Sequence, residues 1–162
     1  MKKVLITGAG TGFGHEVAMR LALKGFDVIA AVEIYAQVQT LKREAAARGV
    51  TLRVEKLDVT NEGDRKKALA WNIEILVNNA GVLEGGSVLD IPGSNMRHEF
   101  EVNVIGPLLL TQGIAKQMVK RATVFPIKQL TAQELGFSRR AVRARRGKRL
   151  FGMPTGRLAG PV

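Results

Sequence analysis

Val4-Leu5-Ile6-Thr7-Gly8-Ala9-Gly10-Thr11-Gly12-Phe13-Gly14 is a short apolar run that ends in four glycines. It leads into Glu16 to Leu23, where the apolar residues 17, 18, 21 and 22 recur at helical spacing. The order is strand, tight turn, helix. Glycine suits such a turn because a positive φ is free only without a Cβ, and because an anion can then approach the backbone N–H groups. The helix that follows offers its unpaired N–H donors and the positive end of its dipole. This stretch is therefore a candidate pyrophosphate cradle, although glycines also serve plain turns and bulges.

The spacing narrows the reading. Thr7, Gly8, Gly12 and Gly14 form T-G-x-x-x-G-x-G. That differs from G-x-G-x-x-G, and also from the phosphate-loop pattern, since His15 and Glu16 follow where Lys and Ser or Thr would stand.

Further along, Phe26 to Val32 reads as a second buried strand and Ala36 to Arg48 as a helix with Val38, Leu41 and Ala45 on one face. Thr51 to Leu57 reads as a third strand, Glu62 to Trp71 as a short polar helix, and Ile73 to Val77 as a fourth strand. Strands alternating with helices and joined by short loops imply a parallel sheet with right-handed crossovers. The expected architecture is α/β, a Rossmann-like doubly wound sheet of order 3-2-1-4. The ends of the first and fourth strands then lie side by side where the winding reverses, which is where open α/β sheets bind ligands.

Three more motifs lie at matching places. These are Leu57-Asp58-Val59-Thr60 at a strand end, Asn78-Asn79-Ala80-Gly81 after the fourth strand, and Glu101-Val102-Asn103-Val104-Ile105-Gly106 in the next helix. Together with the glycine turn they resemble the short-chain dehydrogenase/reductase family, over about 120 residues. The resemblance implies an NAD(P)-dependent oxidoreductase that moves hydride between a nicotinamide and an alcohol or ketone. It implies a dinucleotide held by Thr7, Gly8, Gly12, Phe13 and Gly14, by Asp58 and Val59 at the adenine, and by Asn79, Ala80 and Gly81. Glu33, nineteen residues beyond Gly14, stands where an acidic side chain hydrogen-bonds the ribose 2′-hydroxyl and repels a 2′-phosphate. An ordinary solvated glutamate at a helix start would look the same. With no Arg or Lys in the turn, NAD is favoured over NADP.

Of the family's proton-transfer group the resemblance places only Asn103. The family uses a Tyr, a Lys four residues later and a Ser on the preceding strand. This chain's single tyrosine is Tyr35, and after Ala122 to Ile127 there is no serine until Ser138. His15 and His98 are lone histidines that read as surface or capping groups. Ser87 and Ser94 lack a paired base, and no cluster has metal-ligand spacing. Leu83 to Pro92 is expected to form one wall of the substrate pocket. The chain alone is expected to bind nucleotide and to turn over nothing.

The net charge of +11 is unevenly placed. Residues 1–115 hold 13 basic and 13 acidic side chains, whereas residues 116–162 hold 12 Lys or Arg against Glu134. Seven of these fall between Ser138 and Arg149, with no aromatic residue from Arg139 to Arg149 on which a base could stack. Two readings compete for 122–162: a basic arm for nucleic acid or another polyanion, or the product of a truncated or frame-shifted coding sequence. Loss of the family pattern at one point favours the second. The expected division is a dinucleotide-binding domain over 1–121 and a basic, poorly ordered tail over 122–162. With no cysteine, no signal-peptide pattern and no long apolar run, a cytoplasmic setting is expected, with no membrane partner. The helix expected over Ser94 to Arg121 carries a broad apolar face that in the family packs partly on a sister subunit. Pro107 is expected to kink or break that helix.

Overall fold

The computed structural model describes residues 1–121. Basic residues 138–149, and the whole of the tail expected over 122–162, lie outside the described residues. Four parallel strands form the sheet: β1 (Lys3–Ile6), β2 (Asp27–Val32), β3 (Arg53–Lys56) and β4 (Ile75–Val77), in the order β3-β2-β1-β4. The register pairs Leu5 with Ile29 on one side and with Leu76 on the other. The expected strand order is the observed one.

Val4, Leu5 and Ile6 are fully buried, as are Ile29 to Val32. A strand covered on both faces reads as a continuous apolar run rather than an alternation. Helices α1 (Gly12–Leu23) and α2 (Tyr35–Ala47) supply Val17, Met19, Val38 and Leu41 to the core. A cluster built on Leu5, Ile29 and Ala31 joins Leu57, Val59 and Ile73 to Leu110 and Ile114. Those last two belong to α5 (Gly106–Lys120), which packs against α3 (Glu62–Leu69). Among the described residues no helix is long and apolar enough to cross a membrane.

Two elements differ from the sequence reading. The polar helix stops at Leu69 because Ala70 and Trp71 turn back onto the carbonyls of Lys67 and Ala68, and Asn72 adopts a φ of 55°. Asn tolerates that left-handed conformation better than most side chains, and β4 starts only after it, at Ile75. The second is the form of the interruption expected at Pro107, which is a π-helical turn just ahead of it. The helix expected over 94–121 runs as α4 (Gly93–Phe100), a π-helical turn at Glu101–Ile105, and α5. Gly106 N–H reaches back five residues to Glu101 O. Proline has no N–H to return to the carbonyl four residues earlier, and the chain takes its wide turn just ahead of it. Phe100, Val104, Leu108 and Leu109 are exposed on this helix, on which the sequence reading places a subunit contact.

Candidate functional site

The glycine turn leaves β1 with Gly8 at a φ of 64° and enters α1 with Gly12 at 61°. These are conformations that only glycine adopts without cost. A Cβ on Gly8 would lie 2.6 Å from Ala80 Cα and 2.9 Å from Ala80 N. A Cβ on Gly14 would overlap Asn79 Nδ2 and lie 2.6 Å from Gly8 O. The turn and the Asn79-Ala80 segment are thus in backbone contact, seventy residues apart in the chain. Around Gly12 there is nothing within 4 Å of a Cβ position, so the start of α1 is open. Its Thr11 hydroxyl caps none of the first-turn donors.

Thr7 holds the two segments together. It is fully buried, and its hydroxyl accepts from Asn79 N at 3.0 Å and Ala80 N at 3.1 Å while donating to Val77 O at 3.4 Å. Asn79 Nδ2 donates in turn to Thr7 O and Gly8 O, both at 3.0 Å. Asn78 faces the other way, donating from Nδ2 to Thr111 Oγ1 at 2.9 Å.

A cleft of about 280 Å³ opens above this junction. Gly8, Gly10, Thr11 and Phe13 line it from the turn, Glu33 and Gln37 from the β2–α2 connection and α2, and Leu57, Asp58 and Val59 from the exit of β3. Asn79, Ala80, Gly81 and Val82 come from the exit of β4, and Val102 from the π turn. Of the residues singled out by sequence, Gly8, Phe13, Glu33, Asp58, Val59, Asn79, Ala80 and Gly81 meet there. Thr7 and Gly14 lie beneath, holding its floor, and Gly12 starts the open helix.

Asn103 does not line the cleft. Its Oδ1 accepts from Val82 N at 2.8 Å and its Nδ2 donates to Val82 O at 2.7 Å. Both ends of the amide clasp the backbone of one residue, Val82, in the loop after β4. The π turn carries Asn103, and Gly106 lets the helix press in, since a Cβ there would stand 2.7 Å from Val59 O.

Beneath Asp58 lies a charged support. Asp58 Oδ1 accepts from Thr60 N at 2.8 Å and Thr60 Oγ1 at 2.7 Å, and Asp58 N donates to Asp64 Oδ2 at 2.9 Å. Asp64 is buried and paired with Lys56. Burial pushes the Asp64 carboxyl up, but the Lys56 ammonium and the Asp58 N–H together hold it below the ordinary aspartate range. Hydrogen bonding to Asp64 raises Lys56, against a smaller opposing effect of burial.

A depressed carboxyl contributes stability that is present above the unfolded group's pKa and lost as pH falls through the folded value. Asp64→Asn is therefore expected to cost about 2 kcal/mol at neutral pH, the value of a hydrogen-bonded charge. The gap from wild type should close as pH falls below about 4. Urea midpoints measured across that range check it, and a gap independent of pH would show that the charge is not what Asp64 contributes.

Sequence reasoning missed Asp64, Lys56 and Gln37. All three read as polar positions on amphipathic segments. No sequence signal marked Gln37; that Gly10 is a turn glycine without a positive φ is legible only in the structure. Among the described residues no group of three or more His, Cys, Asp or Glu is placed to hold a metal ion.

A family model described as short chain dehydrogenase matches residues 2–124. An uncharacterized oxidoreductase, YusZ, of Bacillus subtilis is 37% identical over 121 residues, covering 70% of this chain and 42% of its own. L-xylulose reductase of Caenorhabditis elegans is 33% identical over 135 residues, 82% of this chain and 54% of its own. Among solved structures, a 7α-hydroxysteroid dehydrogenase complexed with NADH and 7-oxo glycochenodeoxycholic acid superposes with a TM-score of 0.66 at 29% identity, covering 74% of this chain and 49% of that one. A short-chain dehydrogenase from Sphingobium yanoikuyae in complex with NADPH gives 0.66 at 25% identity, covering 75% and 50%. The chain spans about half the length of the curated relatives it matches.

Proposed function

The chain belongs to the short-chain dehydrogenase family, and from that premise we propose that residues 1–121 are the nucleotide-binding part of an NAD(P)-dependent oxidoreductase acting on an alcohol or ketone. One observation carries the reading: the exits of all four strands and the glycine turn converge on a single cleft whose floor admits no Cβ at Gly8 or Gly14. A dinucleotide supplies the hydride acceptor or donor when bound. The turn and the open start of α1 would receive its pyrophosphate. Asp58 and Val59 would hold the adenine, Glu33 a ribose hydroxyl, and Asn79 to Gly81 would line the path toward the nicotinamide. Asn103 keeps that path in place by clasping Val82.

Proton transfer needs an acid or base within reach of the substrate oxygen. The chain's single tyrosine, Tyr35, is exposed at the start of α2 and outside the cleft. The reading is accordingly of a chain that binds nucleotide without turnover by itself.

Isothermal titration of the full chain with NAD⁺ and NADP⁺ tests this. NAD⁺ is expected to bind on the order of tenfold more tightly, a difference of about 1.4 kcal/mol, and Glu33→Gln to erase the preference. Absence of binding by both dinucleotides would overturn the proposal, and dehydrogenase activity of the chain with alcohol and ketone substrates would overturn its non-catalytic half.

A further inference from the structure

Gly10 is the one turn glycine whose neighbour is a side chain of the next helix. A Cβ at Gly10 would lie 2.8 Å from Gln37 Cδ, 2.8 Å from Nε2 and 3.0 Å from Oε1. Near-equal distances to all three atoms of the planar amide mean that its face, rather than its edge, is turned toward the Cβ position of Gly10. Gly10 has no positive φ, so the room it leaves for Gln37 is the structural use of its missing side chain.

Gln37 sits in the first turn of α2, where its own N–H bonds Ile34 O at 3.1 Å. It is half-buried and lines the same cleft as Glu33. Among the described residues its amide makes no hydrogen bond, although it carries two donors and an acceptor. Holding a long side chain in one rotamer costs conformational entropy, and turning an amide face toward Gly10 uses none of its polar capacity. The neighbouring Glu33 carboxylate, when ionised, only accepts. Together the two bring an acceptor and a donor to the lining of one cleft. That is the complement of a vicinal diol, in which one hydroxyl donates and its neighbour accepts.

Resting on the nucleotide reading above, we infer that Gln37 is a second recognition residue for the adenosine ribose, pairing with Glu33 to read the 2′,3′-diol. Gly10 is glycine so that the Gln37 amide can take that position.

With Glu33 accepting from the 2′-hydroxyl, the Gln37 amide donates to the 3′-hydroxyl, and the experiment is calorimetric binding of 5′-ADP and 3′-deoxy-ADP to the full chain and to Gln37→Leu, which keeps the bulk and removes the amide. Wild type is expected to prefer ADP. The leucine variant, with an unchanged melting temperature, is expected to bind ADP about fivefold more weakly, as for the loss of one neutral hydrogen bond, and to bind 3′-deoxy-ADP nearly as wild type does. A wild-type chain that binds ADP with an unaltered ADP to 3′-deoxy-ADP ratio in Gln37→Leu overturns the role of Gln37 alone. A wild-type chain that binds neither nucleotide overturns the nucleotide reading and this inference with it.

Discussion

Gly8→Ala is expected to lower the folding stability by about 2 to 5 kcal/mol and to abolish nucleotide binding. Two costs add. At a φ of 64° a Cβ meets its own backbone, for about 1 to 2 kcal/mol. The same Cβ would lie 2.6 Å from Ala80 Cα, and backbone, unlike the end of a flexible side chain, yields only by displacing the whole strand exit. Overpacking of that kind costs about 1 to 3 kcal/mol and occasionally more. Urea unfolding of the full chain followed by circular dichroism measures the sum. A loss below about 1 kcal/mol would mean that the segment after β4 moves aside freely, and that the contact between turn and strand exit is looser than the geometry states.

Thr7→Val should cost nearly as much while changing almost nothing in shape. The hydroxyl accepts from Asn79 N and Ala80 N, and valine leaves both donors without a protein acceptor next to a fully buried side chain. At about 1 to 3 kcal/mol for each unsatisfied group, discounted for partial exposure, the expected loss is about 2 to 4 kcal/mol. Thr7→Ser keeps the oxygen and gives up one methyl, for about 1 kcal/mol. If the valine variant unfolds at the wild-type urea concentration and only the serine variant unfolds lower, the hydroxyl contributes nothing and the methyl everything.

The sheet and its order were legible because parallel strands carry continuous apolar runs and because glycines and helix periodicity mark each crossover. Val4 to Ile6 and Ile29 to Val32 announce themselves. The π turn was not legible in that way, since the apolar spacing of Val102, Ile105, Leu109 and Leu110 suits an unbroken helix; Pro107 signalled a disturbance without saying of what kind. Asn103 was found through its motif, but its partner Val82 was not, because a side chain that clasps the backbone of a residue twenty-one positions away leaves no local pattern. The pair Lys56 and Asp64, and the amide of Gln37, were hidden for the same reason. Each does its work across a gap between elements, where periodicity within one element carries no information.

The bonds that join residues 7 and 8 to residues 77 to 80 bridge 70 to 73 positions of chain. No contiguous part of the polypeptide shorter than that contains the floor of the cleft, so it comes into being only at the closing step of the sheet, when β4 docks on β1. Whatever binds on that floor and not on the open chain must hold the docked strand in place by the same free energy with which the docked strand holds it. Occupancy and closure are in this sense one equilibrium seen from two ends, and amide hydrogen exchange at Asn79 and Ala80 would report on both.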